Sequence, residues 1–387
     1  MKKIWAATLA ACLALPFLFW SSESEAVPVF ARKYGTSCAT CHIGYPARNA
    51  FGEAFRNNGY RWPGGADEDK VEIEQTPLGS EAWKKVWPKA IFPTDIPGIV
   101  PVALFMTGEL FEWRGVDDKY KWGLPGELEV LFAATIGDNI SILGDWAVGG
   151  EEVGFQLLWS LSEGVHLAFG GIGFTELFTI ISATPNGEGD SYAVALPSPG
   201  NGFELRVAGG DAGGYSLIFG TGQGEEEWSG NPFDSRFVRA TYKFGGSGLL
   251  SGSGGTMGND MIGLDNAVTL GVNYFNSDHG VDGEKNAIGG DITATFGSVR
   301  AIGQVGRYID TDVTQFSAEL DYFIYPWLVA VVRYEDWGAP GDDRDYTYAV
   351  IPGIGAFLRA NAKLGAEYVM AEHSNYNTLK VFAQLAF

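Results

Sequence analysis

The 387-residue chain is short of the residues that usually carry metal and redox chemistry: it has 3 Cys, 5 Met and 4 His. So few cysteines exclude a disulfide scaffold. Bases are also scarce, 26 Lys and Arg against 47 Asp and Glu, for a net charge of −21. That deficit argues against nucleic acid as a partner, because phosphate binding needs a basic surface. A mean hydropathy of zero excludes both a multi-helix membrane protein and a disordered acidic tail. The abundant residues are Gly, 54 in all, and aromatics at 14 %. Gly is about twice its usual share. Set among short alternating segments, these residues point to an extended β protein.

Residues 1–26 read as a secretory signal. Lys2 and Lys3 supply the charged start, Ile4 to Trp20 the apolar stretch, and Ser24-Glu25-Ala26 the small residues of a cleavage site. An apolar stretch interrupted by Pro16 is short for a membrane-spanning helix. Leu9-Ala10-Ala11-Cys12 offers an alternative, lipoprotein-type processing site. Cleavage after Ala26 leaves Cys38 and Cys41 as the remaining cysteines.

Those two stand in Cys38-Ala39-Thr40-Cys41-His42, the C-x-x-C-H spacing of c-type haem attachment. Two thiols at this spacing reach the two vinyl groups on one side of a porphyrin. The next residue, His42, can then swing under the iron as the proximal ligand. Zinc needs four ligands, and residues 27–95 offer only these three of the usual kind. A redox dithiol sits at a βα junction, which the surrounding pattern lacks. The expected cofactor is therefore one covalent haem c. Pro46 can open a helix, in which Ala50, Phe51, Ala54 and Phe55 form an apolar stripe and Asn58-Gly59 the stop. Phe51, Phe55, Tyr60 and Trp62 pack either on the porphyrin or on each other as a small core. The sixth iron ligand stays open. Met106, Met257, Met261, Met370, His166, His279 and His373 are the candidates of the usual type. A Tyr, Lys or Asn, the Val27 amine, or a five-coordinate iron are the others.

From about residue 99 the period changes to two. Leu128, Val130, Phe132, Ala134 and Ile136 alternate with Glu127, Glu129 and Thr135, and Phe316 to Ile324 alternates with Gln315, Ser317, Glu319 and Asp321. Runs of ~10 residues, apolar on one face and polar on the other, are the pattern of transmembrane β-barrels. Leu379 to the terminal Phe387 repeats it. The fold expected is all-β: an antiparallel transmembrane barrel of about sixteen strands, preceded by a small helical or irregular haem segment. The domains are 1–26 signal, 27–95 haem segment plugging the pore, and 96–387 barrel. Strands are expected near 99–113, 127–136, 140–149, 153–161, 165–177, 203–209, 215–222, 236–244, 267–276, 287–297, 299–308, 314–324, 327–337, 345–352, 359–370 and 377–387. Connections alternate long and short, except that 245–266 is long where a short turn is due. Fourteen or eighteen strands therefore remain open.

Residues 27–95 hold nine bases and eight acids, so the barrel carries about −22. Acids cluster in outer loops, among them Asp310, Asp312, Asp342, Asp343 and Asp345, and others take lumen positions, including Glu204, Asp291, Glu319, Asp321 and Glu335. Such a field would concentrate cations at the pore mouth. The bland alternative is an ordinary solvated loop surface. His166 has lumen parity between Val165 and Leu167, which makes it the best-placed histidine to meet a haem in the pore, the plainer alternative being an ordinary lumen histidine.

A haem c ahead of a single barrel resembles the fused monohaem cytochrome–porins of the bacterial outer membrane. The residues that carry the resemblance are Phe30-Ala31-Arg32, Gly35, Cys38, Cys41, His42, Pro46, Phe51-Gly52, Phe55 and Gly59-Tyr60. Ala47-Arg48-Asn49 departs from the family pattern at the helix start. The resemblance is specific over about 28–63 and architectural beyond. It implies an outer-membrane electron conduit, with Fe(II) oxidised outside the cell and a periplasmic c-type cytochrome as acceptor. Two other readings stand beside it: direction-unspecific electron exchange with minerals or electrodes, and a cation-selective porin with a structural haem.

Overall fold

The computed structural model describes residues 29–44, 47–64, 75–77, 95–97, 101–116, 118–123, 126–137, 139–150, 153–171, 194, 200–223, 231–252, 257–259, 263–277, 285–339 and 346–386. The signal segment, Asp342, Asp343, Asp345, Pro46, His279, Met261 and Phe387 lie outside them.

Sixteen long strands close into one antiparallel barrel. They are β1 (Val102–Arg114), β2 (Glu127–Ile136), β3 (Ile140–Ala147), β4 (Val153–Ser162), β5 (Val165–Gly171), β6 (Asn201–Gly209), β7 (Gly214–Gly222) and β8 (Ser235–Phe244). The second half comprises β9 (Ala267–Ser277), β10 (Lys285–Phe296), β11 (Val299–Tyr308), β12 (Val313–Tyr325), β13 (Leu328–Asp336), β14 (Tyr348–Arg359), β15 (Ala362–Ala371) and β16 (Thr378–Ala386). Each pairs with its chain neighbour, and β16 closes on β1 from Thr378↔Arg114 to Ala386↔Phe105. A three-residue strand, Lys119–Lys121, folds back on the far end of β1. Closure leaves no sheet edge, so every wall strand finds backbone partners on both sides.

The period-two sequence sorts side chains by face. Leu161, Val272, Ile292, Leu320 and Val332 are exposed, while Glu204, Asp291, Glu319, Asp321 and Glu335 are buried toward the lumen. Exposed aromatics gather near both rims: Tyr242, Phe244, Phe296, Tyr325 and Trp327 at the short-turn end, Trp122, Trp146, Tyr274 and Tyr348 at the other. Part of the glycine excess supports this wall. Gly144 pairs with Phe132, Gly220 with Phe237 and Gly365 with Phe382. In each pair the ring lies over the glycine, where a Cβ would strike it. Such cross-strand covering lets glycine sit in a strand without leaving a hole.

One strand is longer than the sequence pattern suggests. The expected strands 345–352 and 359–370 leave a break between them, yet β14 runs through to Arg359. Pro352 pairs opposite Val332 on the β13 side. The ladder to β15 skips from Val350 to Gly353, where proline has no N–H to give.

The segment 245–266 did not signal a miscount. It joins β8 to β9 at the short-turn end, its described residues Leu249, Leu250 and Leu264 meet the plug, and the strand number is sixteen. The N-terminal residues fill the space it turns toward: helix α1 (Val29–Lys33), a 3₁₀ turn (Cys38–Thr40) and helix α2 (Ala50–Asn57). Ile43 from this plug shares a buried cluster with Leu264, Phe323, Val329, Val331 and Phe357. Val29 packs on Ala103 of β1 and Ala133 of β2.

Candidate functional site

The plug is pinned around its circumference. Lys33 Nζ donates to Thr135 Oγ1 at 2.8 Å, and Arg61 donates to the carbonyls of Gly137 and Ile140, both at 2.9 Å. Ser141 Oγ donates to the Gly59 carbonyl at 2.6 Å. From the β8–β9 connection, the carbonyls of Leu249 and Leu250 accept from Asn57 Nδ2 at 3.0 Å and Asn58 Nδ2 at 2.6 Å. That connection therefore clasps the C-terminal end of α2.

Helix α2 begins at Ala50, not near Pro46. Its N-cap is Asn49, whose Oδ1 accepts from the Gly52 N–H at 2.9 Å. The same side chain donates Nδ2 to the carbonyls of Ala39 (3.0 Å) and Thr40 (3.1 Å), and its backbone N–H donates to the Cys41 carbonyl at 2.9 Å. One residue thus ties the helix start to the Cys-x-x-Cys turn. The departure at 47–49 touches the motif itself, which the helix-start reading missed. Gly52 is required by the same contact, since a Cβ there would collide with the Cys41 carbonyl. The helix ends as expected, with the Gly59 N–H on the Arg56 carbonyl and Gly59 at φ +69.

Cys38, Cys41 and His42 open onto one cavity of about 370 Å³. Phe30, Phe51, Phe55, Tyr60 and Trp62 line it with them, and Leu131, Ala133 and Leu143 supply the barrel side. These rings also pack on each other: Phe30 stacks on Tyr60 at 5.7 Å, and Phe51 meets Trp62 at 4.9 Å. The rings form the small core, and that core is the cavity wall. Burial pushes the Cys41 thiol up to about 12, with Cys38 adding to it, and raises Cys38 as well. Thiols held protonated at neutral pH are not poised as a reactive dithiol. Two thiols and an imidazole around an apolar, aromatic-walled space do fit a covalently held haem.

His166 is placed elsewhere. It is buried with lumen parity, as its pattern indicates. Its ring nitrogens, however, lie 2.9 Å from Ser160 Oγ and 2.7 Å from the Asn57 carbonyl, and it does not line the cavity of Cys38, Cys41 and His42. It holds the plug to β5, so the distal-ligand expectation is corrected. Met106, Met370 and His373 also do not line that cavity. Tyr34 and Tyr60 line it and carry oxygens that could ligate iron.

The lumen acids are accompanied by cations that a tally of acids overlooks. Arg239 pairs with Asp291 at 2.7 Å, Arg206 with Glu204 at 2.6 Å, and Arg300 with Asp321 at 2.6 Å. Arg333 reaches Glu335 at 2.6 Å and Glu367 at 3.2 Å. Among the described residues these inner carboxylates are thus charge-compensated. At the rim, Asp312 pairs with Arg307, and Asp310 accepts from the Asn286 backbone at 2.5 Å. Their pull on a cation is correspondingly reduced.

No family model and no curated protein matches this chain. Among solved structures it is similar to Salmonella typhi OmpF in complex with daunomycin, at 12 % identity, covering 76 % of this chain and 98 % of that one with a TM-score of 0.46. It is similar to the outer-membrane expressed OmpT of Vibrio cholerae, at 12 % identity, 76 % and 98 % coverage and a TM-score of 0.47. A mutant Rh. blastica porin gives 11 %, 75 %, 100 % and 0.47. The closed sixteen-strand barrel rests on its own strand pairing.

Proposed function

We propose that the protein is an outer-membrane electron conduit that carries one haem c in a plug inside its barrel. The observation that carries the reading is the convergence of Cys38, Cys41 and His42 on one aromatic cavity within the barrel. The exposed apolar wall and its two aromatic rims support a membrane setting. When bound, haem supplies a one-electron iron couple. The chain's residues do the rest: Cys38 and Cys41 anchor, His42 ligates, Asn49 fixes the turn, and the aromatic wall excludes water. The wall side of the site, Ala133 and Leu143, lies toward the short-turn ends of β2 and β3, and a soluble periplasmic c-type cytochrome is the proposed acceptor on that side. Fe(II) outside the cell is the proposed donor, drawn by acids of the outer loops such as Asp310 and Asp312, and Fe(II) oxidase activity follows from that assignment.

Purified protein should show a covalent haem band that His42→Ala alters or abolishes, and it should be reduced by Fe(II) without oxygen. Haem without Fe(II)-dependent reduction would sink the donor and leave exchange with minerals or electrodes. The porin alternative predicts large steady conductance, whereas a pinned plug and a compensated lumen predict little.

A further inference from the structure

Two cavities meet inside the barrel. The aromatic one holds Cys38, Cys41 and His42. The other, about 180 Å³, lies between the plug and the wall and is lined by Arg206, Arg239, Lys243 and Arg300. Arg48 and Arg56 line both. Each of the two is largely buried, at 15 % and 6 % side-chain exposure. They share one partner, Glu53, whose carboxylate is 2.6 Å from Arg48 Nε and 3.9 Å from Arg56 Nη1.

The two cavities together have the polarity of haem. The macrocycle is apolar, one side carries the vinyl carbons that the thiols attack, and the two propionates project from the side remote from them. A carboxylate in a buried space needs a cation and hydrogen-bond donors, and guanidinium is the group best shaped to give both. Within the aromatic cavity the basic side chains of the lining are Arg48 and Arg56, apart from His42, which the iron engages. We propose that Arg48 and Arg56 receive the haem propionates and so orient the cofactor, its anionic edge directed at the basic inner cavity. Both are positioning residues. This rests on the haem reading above and deepens it. Arg48 falls in the stretch where the sequence departs from the family it resembles, so that departure acquires a role.

The test is a redox titration of the haem-loaded protein. A cation beside the propionates favours reduced iron, because it repels the extra positive charge of the oxidised state. Arg48→Gln and Arg56→Gln should each lower the midpoint potential. The expected shift is roughly tenfold in the ratio of reduced to oxidised haem, or 59 mV for one electron. Lysine at either position should restore most of it. A merely structural role through Glu53 makes a different prediction. In a Glu53→Gln background the arginine effect would then vanish, whereas contact with propionate preserves it. Should the glutamine variants fail to load haem, resonance Raman of the wild type and the lysine variants decides. The propionate-bending band should sit where hydrogen-bonded propionates place it in the wild type and move with lysine. Unmoved potentials, loss of the effect in Glu53→Gln, or a band typical of solvated propionates would overturn the assignment. Wild-type protein with no covalent haem would overturn the function itself, which is a separate result from haem present with unmoved potentials.

Discussion

Asn49 shows how much one side chain can hold. Its amide caps α2 and bonds two carbonyls of the Cys38–Thr40 turn. Asn49→Ala removes the cap and strands those carbonyls, at a cost of about 1–2 kcal/mol for the cap alone. The expected outcome is less covalent haem per barrel, read from the haem absorbance against total protein; an unchanged ratio would show that the turn holds itself. His166 separates two roles in the same way. His166→Leu leaves the Asn57 carbonyl without its donor, worth about 1–3 kcal/mol in a buried place. Faster proteolysis within 29–64 is expected, with the haem spectrum unmoved. A changed spectrum would put His166 back at the iron. Neither role is written at its position, since an asparagine before a helix and a histidine of lumen parity are each compatible with several partners.

The β8–β9 connection carries the same lesson at the scale of an element. As sequence it is a Gly/Ser-rich run where a tight turn is due. In the fold it bends into the lumen, presents Leu249 and Leu250 carbonyls to α2, and sets Leu264 beneath Ile43. Leu264→Ala should cost about 2–5 kcal/mol of packing. The barrel ladder is untouched by that change, so the loss should fall on the plug. Planar-bilayer recordings should show intermittent openings absent from the wild type; recordings identical to it would mean that the clasp does not retain the plug. Strand β14 makes a smaller point. Proline and glycine weaken a strand's local signal, yet the pairing of Pro352 with Val332 holds because β13 offers a full ladder.

For the whole molecule, the net charge of −21 suggested a cation funnel, and the lumen redistributes it. Arg206, Arg239, Arg300 and Arg333 stand beside the inner carboxylates, so the described lumen is a lattice of ion pairs around a plug. Removing one partner from such a pair leaves a buried charge and costs about 3–5 kcal/mol. Conductance of the intact protein should be small and weakly selective. Deleting residues 27–64 should open the lumen while the closed ladder persists, seen as a large steady conductance from a barrel that still resists heat in detergent gels. A deletion that conducts no better would mean that something other than the plug fills the pore.

The sequence by itself determined the wall and the motif. Period-two alternation is a local property, because successive side chains of a strand point to opposite faces whatever the partners are. The Cys38-Ala39-Thr40-Cys41-His42 spacing is local as well, fixed by the reach of neighbouring side chains. Tertiary structure alone decided which residues meet. Arg239 finds Asp291 from two strands away, across β9, through the register of two ladders. Asn57 finds Leu249 at a separation of 192 residues. Those contacts depend on closing a sixteen-strand barrel around a folded segment, and no window of sequence contains both sides of that closure.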